Sequence, residues 1–185
     1  MAQPEQAHIA MLVDDGFAQP DVVEAYQILK LAGVALTILA PRPSPVKGQH
    51  EYQWSTMLFV DTVIADAEAH HFDALFIPRL SRLSDTLRRD HATITLIQRF
   101  FIAQKPIAVI GSGLHSLLKT GILSQRQVSA ATLPAHDLTR VGSETVDEEI
   151  VVDGNLITAS SAVPVRDVVQ KLMDAVRSGI PPASQ

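Results

Sequence analysis

The sequence predicts a doubly wound α/β fold, a mostly parallel sheet with helices on both faces. Three observations predict it. Short apolar runs of strand length, such as His8–Val13 and Pro106–Ile110, read as strands buried on both faces. Stretches of helical period separate them, so that strand and helix alternate. No internal repeat, low-complexity block or linker interrupts that alternation over the 185 residues, a length that suits one domain with its core at about 7–177.

The elements follow in order. His8–Val13 forms the first strand and ends at Asp14-Asp15-Gly16. Pro20-Asp21 opens a helix that carries Val22, Val23, Tyr26 and Leu29 and closes at Gly33, because proline suits a first turn and glycine a C-terminal cap. Val34–Ala40 is the second strand, which completes a βαβ unit. Pro41–Gly48 reads as a loop, and Glu51–Val60 as an excursion or hairpin in which Tyr52 and Trp54 alternate with Gln53. Asp61 is placed to cap a short helix reaching Ala69, and His70-His71 precede a third strand, Asp73–Ile77, stopped by Pro78.

A long helix is expected within Leu83–Gln104, with Leu87, Ile94, Ile97, Phe100 and Phe101 on one side. Pro106–Ile110 is the fourth strand, and Gly111-Ser112-Gly113 turns sharply into another helix. Gln127–Ala131 reads as a fifth strand. Asp153-Gly154-Asn155 between Glu149–Val152 and Leu156–Thr158 signals a hairpin, since Asp-Gly accepts the positive φ of tight turns. Pro164 opens a last helix ending near Arg177, followed by the tail Gly179-Ile180-Pro181-Pro182.

Composition narrows the chemistry. There are no cysteines, so disulfides, thiolate catalysis and Cys-ligated zinc are excluded. The formal net charge is −5, and the one local basic cluster, Arg79, Arg82, Arg88 and Arg89, is broken by Asp85 and Asp90. Nucleic acid, which calls for a clustered basic face, is therefore not an expected partner. No apolar run approaches the roughly 18 residues of a membrane helix, and Met1–Gln6 has no signal-peptide character, so no membrane association is expected and the cytoplasm is the expected compartment. The seven histidines show no metal-ligand spacing, and neither metal nor cofactor is expected.

In such sheets ligands bind at the carboxyl ends of the strands. Three strand ends carry suggestive residues: Asp14-Asp15-Gly16-Phe17, Pro78-Arg79-Leu80 and Gly111-Ser112-Gly113-Leu114-His115. Asp15 is a candidate base, although acidic residues after a strand also simply form turns. Ser112 is a candidate nucleophile with His115 as its base, three residues on; the alternative is an ordinary helix N-cap. Arg79 is a candidate anion ligand facing the amides after Gly111, and Asp15, Arg79, Gly111, Ser112 and Gly113 together outline the expected binding site.

These pieces resemble the ThiJ/PfpI superfamily, which shares its fold with class I glutamine amidotransferase domains. The resemblance rests on His8–Val13 with Asp15-Gly16-Phe17, Phe72–Pro78, Leu87–Asp90, Lys105–Ile110, Gly121-Ile122-Leu123 and, most specifically, Val146–Thr158, in the same order over nearly the whole chain. It implies a flavodoxin-like fold. It also implies where chemistry would sit: the family's cysteine falls on Gly111, its histidine on Ser112, its glutamate on Ala18, and its P-G-G loop reads Pro78-Arg79-Leu80. Three parts of one apparatus differ together. Glycine suits position 111, because the elbow holds a strained backbone that glycine adopts at little cost.

The expectation is a member without the family's thiol chemistry, a pseudoenzyme that binds a small molecule or partner in the former active-site pocket. Family members also suggest a homodimer or larger oligomer and a link to stress responses. Two alternatives stay open. One is a hydrolase or lyase working through Asp15, Ser112 or His115; the other is a structural domain like the one appended to large catalases.

Overall fold

A computed structural model describes residues 7–51, 53–81, 85–130 and 133–179. The central sheet has seven strands. In chain order these are β1 (His8–Leu12), β3 (Ala35–Ala40), β6 (Thr62–Val63), β7 (Ala74–Ile77), β8 (Ile107–Ile110), β11 (Ile150–Asp153) and β12 (Leu156–Ala159). Their spatial order is β11-β12-β8-β7-β1-β3-β6, parallel throughout except for β11, which runs antiparallel to β12. Every residue of β7, β8 and β12 is buried. A strand covered on both faces reads as a continuous apolar run, which is why these segments show no alternation.

Helices α1 (Gln19–Leu31) and α5 (Val165–Ser178) pack against each other and the sheet, while α2 (Asp85–Arg89) and α3 (His91–Ile102) pack together elsewhere. The buried apolar side chains form one cluster that runs from Ala7 to Met173. Two smaller sheets flank the main one: β2 (Phe17–Ala18), β4 (Val46–His50) and β5 (Gln53–Leu58) form one, β9 (Gln127–Ser129) and β10 (Glu144–Val146) the other. Helix α4 (Ala135–Arg140) precedes β10.

Four local expectations are corrected. The helix expected within Leu83–Gln104 is two helices, because Asp90 leaves helical backbone (φ −73°, ψ 121°) and caps α3, accepting hydrogen bonds from the Thr93 amide and hydroxyl at 2.7 Å. Its expected first residues, Leu83 and Ser84, lie outside the described residues. Part of the expected loop Pro41–Gly48 belongs to β4, and Glu51–Val60 holds one strand, β5, so the hairpin is β4–β5 and not within Glu51–Val60; Tyr52 lies outside the described residues. Asp61 caps no helix. Its carboxylate instead accepts the Ile38 amide at 2.7 Å, and two short 3-10 turns, Ile64–Asp66 and Ala69–His71, follow.

The fifth expected strand forms, but pairs with β10 outside the central sheet, and its expected end at Ala131 lies outside the described residues. The tail beyond Gly179 does too. The Asp153-Gly154-Asn155 hairpin forms as expected, with Gly154 at φ 58°.

Candidate functional site

Strands β12, β8, β7 and β1 lie side by side in that order, so their carboxyl ends bring Ser160-Ser161, Gly111-Ser112, Pro78-Arg79 and Asp14-Asp15 to one edge of the sheet. This is where a parallel sheet of this kind places ligands. Gly111 makes the elbow from β8 into a 3-10 helix, Gly111–Leu117, with φ 47°. The left-handed backbone expected there is present, although the helix that follows is 3-10 over its described length.

What fills the space beside Gly111 is the central feature of the site. A Cβ built on Gly111 would overlap the Ser161 hydroxyl, and would stand 3.1 Å from Ser161 Cβ and 3.4 Å from Arg79 Cγ. The place of a Cβ at the elbow is therefore held by the Ser161 hydroxyl, with the Arg79 stem in van der Waals contact beside it. Gly113 meets backbone: a Cβ there would lie 2.5 Å from the Pro78 carbonyl oxygen and 3.1 Å from the Ile77 side chain. Its role is close packing of the elbow against the loop after β7.

Arg79 is not a loose surface cation. Its Nε donates to both carboxylate oxygens of Asp21, at 3.1 and 2.8 Å, and its Nη2 donates to Asp21 Oδ1. Its backbone amide donates to the same carboxylate at 3.0 Å, and Nη1 donates to the Ser161 carbonyl at 3.1 Å. Asp21 is fully buried at the start of α1. The Asp21 hydrogen bonds raise the Arg79 guanidinium above its ordinary range, outweighing desolvation, so its charge is permanent and locally matched. One N–H of Nη1 and one of Nη2 have no hydrogen-bond partner among the described residues, and the side chain is 35% exposed.

The candidate catalytic residues have other partners. The Ser112 hydroxyl donates to the Leu80 carbonyl at 2.6 Å and accepts the Leu80 amide at 3.1 Å. This two-way bond pins the β7 loop to the elbow, and it replaces the N-cap that the sequence suggests: Ile110 is the cap residue, without a side-chain hydrogen bond. His115 Nδ1 bonds the Ser112 carbonyl at 2.9 Å; a carbonyl only accepts, so Nδ1 carries the proton. No hydrogen bond joins the Ser112 hydroxyl to His115 among the described residues.

The Asp15 carboxylate accepts the Lys47 amide at 2.8 Å and pairs with Arg42, which also lies 3.9 Å from the buried Asp14. Asp14 Oδ1 accepts the Asp15 amide at 2.8 Å, which is turn chemistry. Burial pushes the Asp15 carboxyl up, but the Lys47 amide and Arg42 together outweigh it and hold it below the ordinary carboxylate value.

In front of Arg79 lies an open cleft of about 310 Å³. Gly16 and Ala18 form one side, the β7 loop from Arg79 to Ser81 another, and Gln49 and Glu51 of the β4–β5 hairpin the third. The loop is locked in place: Ala18 N bonds Arg79 O at 2.9 Å and Ser81 N bonds Gly16 O at 2.8 Å. Of the five residues expected to bind ligand, Arg79 lines this cleft; Asp15 and Ser112 are adjacent but turned to the partners above. Among the described residues no group of three or more His, Asp or Glu side chains is gathered as for a metal.

Sequence reasoning missed Asp21 and Ser161. Asp21 carries the signature of a first-turn acid, and nothing in a sequence reveals that its carboxylate is buried. Ser161 follows the hairpin strand β12, and becomes visible only once β12 is known to lie beside β8.

Comparison with known proteins agrees with this architecture. Residues 7–175 match the DJ-1/PfpI family. The chain belongs to the DJ-1/PfpI family. Among its relatives, Deglycase TK1284 of Thermococcus kodakarensis is 26% identical over 151 residues, 82% of this chain and 88% of that protein. General stress protein 18 of Bacillus subtilis is 30% identical over 145 residues, 78% of this chain and 82% of that protein. A two-domain protein of Anabaena variabilis with DJ-1/ThiJ/PfpI-like and ferritin-like domains superimposes with a TM-score of 0.84 at 24% identity. That match covers 94% of this chain, which spans about half (49%) of the two-domain protein. The flavodoxin-like α/β fold expected from the sequence is thus the fold of this DJ-1/PfpI chain.

Proposed function

We propose that this chain is a DJ-1/PfpI protein without the family's cysteine chemistry, and that it binds a small molecule in the cleft beside Arg79. The observation that carries the reading is the space at Gly111, where the Ser161 hydroxyl stands in the place of the missing Cβ and the Arg79 stem packs beside it. An elbow built around a reactive side chain keeps that volume open; here the Ser161 hydroxyl occupies it. The sequence contains no cysteine to serve instead. The cleft keeps its shape because the loop from Pro78 to Ser81 is held by Ser112, Ala18 and Gly16.

The ligand in this reading is small and carries a carboxylate or carbonyl oxygen, since the cleft offers the remaining N–H groups of Arg79 as donors. Its charge is held to a single negative at most, because Asp21 already matches Arg79 and Glu51 adds a carboxylate. The setting that goes with this reading is a single-domain, cytoplasmic homo-oligomer acting in a stress response. The enzymatic alternative through Asp15, Ser112 or His115 is disfavoured by the partners each already has.

A panel of small carboxylates, tested by thermal shift on the wild type and on Arg79→Lys, decides the matter. The lysine keeps a cation beside Asp21 but removes the guanidinium donors. At least one carboxylate is expected to raise the melting temperature of the wild type and not of the variant. No shift with any compound, or a shift unchanged in Arg79→Lys, overturns the assignment.

A further inference from the structure

A second cavity lies away from the cleft, between α2, the turn after the elbow helix and α4. It measures about 150 Å³ and is lined by Arg88, Leu118, Lys119, Asp137, Arg140 and Val141. Space on this scale corresponds to roughly five water volumes at about 30 Å³ each. Leu118 and Val141 pack against the core, so the floor is apolar and rigid. The walls are charged: Lys119 and Arg140 stand with Asp137 and with Arg88, which has an interaction of its own, on a chain whose net charge is −5.

The pairing of these groups is uneven. Asp137 makes a 3.4 Å ion pair with His136, its neighbour on α4, where His136 is exposed. Lys119 and Arg140 have no ion pair or side-chain hydrogen bond among the described residues, although Asp137 lines the same cavity. Arg140 lies in the last turn of α4, where a cation complements the helix dipole, but that turn does not account for Lys119, which comes from a different element. Lys119 and Arg140 are exposed, whereas the half-buried Arg79 and Arg126 are matched, to Asp21 and to Asp153. Two unmatched cations converging on a concave site with an apolar floor are the arrangement that a compact dianion completes.

We infer that this cavity binds a phosphate group. Arginine and lysine are the side chains that take phosphate, the first through paired N–H donors and the second as a point charge. The volume admits phosphate with a short organic substituent. Asp137 would repel a bare phosphate oxygen at close range, but accepts a hydrogen bond from a hydroxyl carried by a small ester. The occupant is accordingly inorganic phosphate or a small hydroxylated phosphate monoester, and the two are separable by titration.

The experiment is calorimetric titration of the full chain with inorganic phosphate and with glycerol 3-phosphate, at ionic strength held constant with sodium chloride. Wild type, Lys119→Ala, Arg140→Ala and Arg79→Lys are compared, with circular dichroism confirming that each is folded. Saturable binding is expected, weakened about tenfold or more by Lys119→Ala and by Arg140→Ala, the loss of one charge-assisted contact in each case. Arg79→Lys is expected to leave it unchanged, which separates this site from the carboxylate cleft. Tighter binding of glycerol 3-phosphate identifies an ester as the occupant, and equal or weaker binding identifies phosphate itself. Absence of saturable binding by both, or binding that survives both Lys119→Ala and Arg140→Ala, overturns the inference, as does binding lost in Arg79→Lys instead.

Discussion

Ser112 illustrates how a residue that looks reactive in sequence is used for structure. A serine three residues before a histidine, just after a strand, has the composition of a nucleophile and base. Its hydroxyl is instead satisfied twice by Leu80, a buried residue whose amide and carbonyl have no neighbouring strand of the main sheet to bond. Ser112→Ala is expected to leave both groups short of a partner and to lower stability by about 1–3 kcal/mol in denaturant unfolding, the cost of unsatisfied buried polar groups. A change below about 0.5 kcal/mol, the ordinary range for surface substitutions, would show that Leu80 finds water or another partner. Arg79 follows the same logic from the opposite side. It is a prominent cation in sequence, but in the fold a buried carboxylate on another element takes its backbone amide, its Nε hydrogen and one Nη2 hydrogen.

At the scale of elements, the hairpin β4–β5 is tied to the end of β1 through Asp15. Its carboxylate bonds the Lys47 amide of β4 and the Arg42 guanidinium that precedes it. Because the folded-state Asp15 value is depressed, this tie contributes stability above the ordinary aspartate value of 3.8 and loses it as pH falls through the lowered value. Both side chains are partly exposed, so the pair is worth up to about 1 kcal/mol, less in high salt. Arg42→Ala is expected to be less stable than wild type by that amount at neutral pH, with the gap closing as the solution is acidified through the Asp15 transition. A gap that stays constant down to strongly acid pH would mean that Arg42 acts through packing alone.

The same scale shows what was legible in the sequence. Strands buried on both faces are readable because apolar runs such as Ala74–Ile77 and Ile107–Ile110 need no partner to be recognised. The Asp-Gly hairpin and the Gly111 elbow are readable because each demands a backbone that few residues adopt. Asp90 hides a helix break, since an acid inside an amphipathic pattern looks like solvated surface until its carboxylate turns back on Thr93. The site was legible as a place, the strand ends, but not as an arrangement. Ser161 and Asp21 reach Gly111 and Arg79 across 50 and 58 positions of chain, through the sheet order and a buried charge, and neither has a local signature.

At the scale of the whole molecule, three exposed large apolar residues lie close together in sequence on and beside β5. Trp54 and Met57 are about half exposed on β5, and Phe59 is 77% exposed just beyond it. Strand β5 is also the open edge of its three-stranded sheet. An exposed edge with large apolar side chains is a surface that proteins ordinarily cover. Self-association is therefore expected, and a symmetric dimer is the commonest solution. Light scattering at micromolar concentration should give a mass of at least twice the 20.1 kDa chain, and a mass near 20.1 kDa would contradict it.

In the proposed function, with the Ser161 hydroxyl in the place of a Cβ at Gly111 and no cysteine in the chain, thiol-type turnover of reactive carbonyls has no group to carry it. The most direct measurement is the consumption of methylglyoxal by the purified protein beside a heat-treated sample and a mock preparation. The three are expected to be indistinguishable. Consumption that follows the native protein, disappears on heating and is absent from the mock would contradict the account.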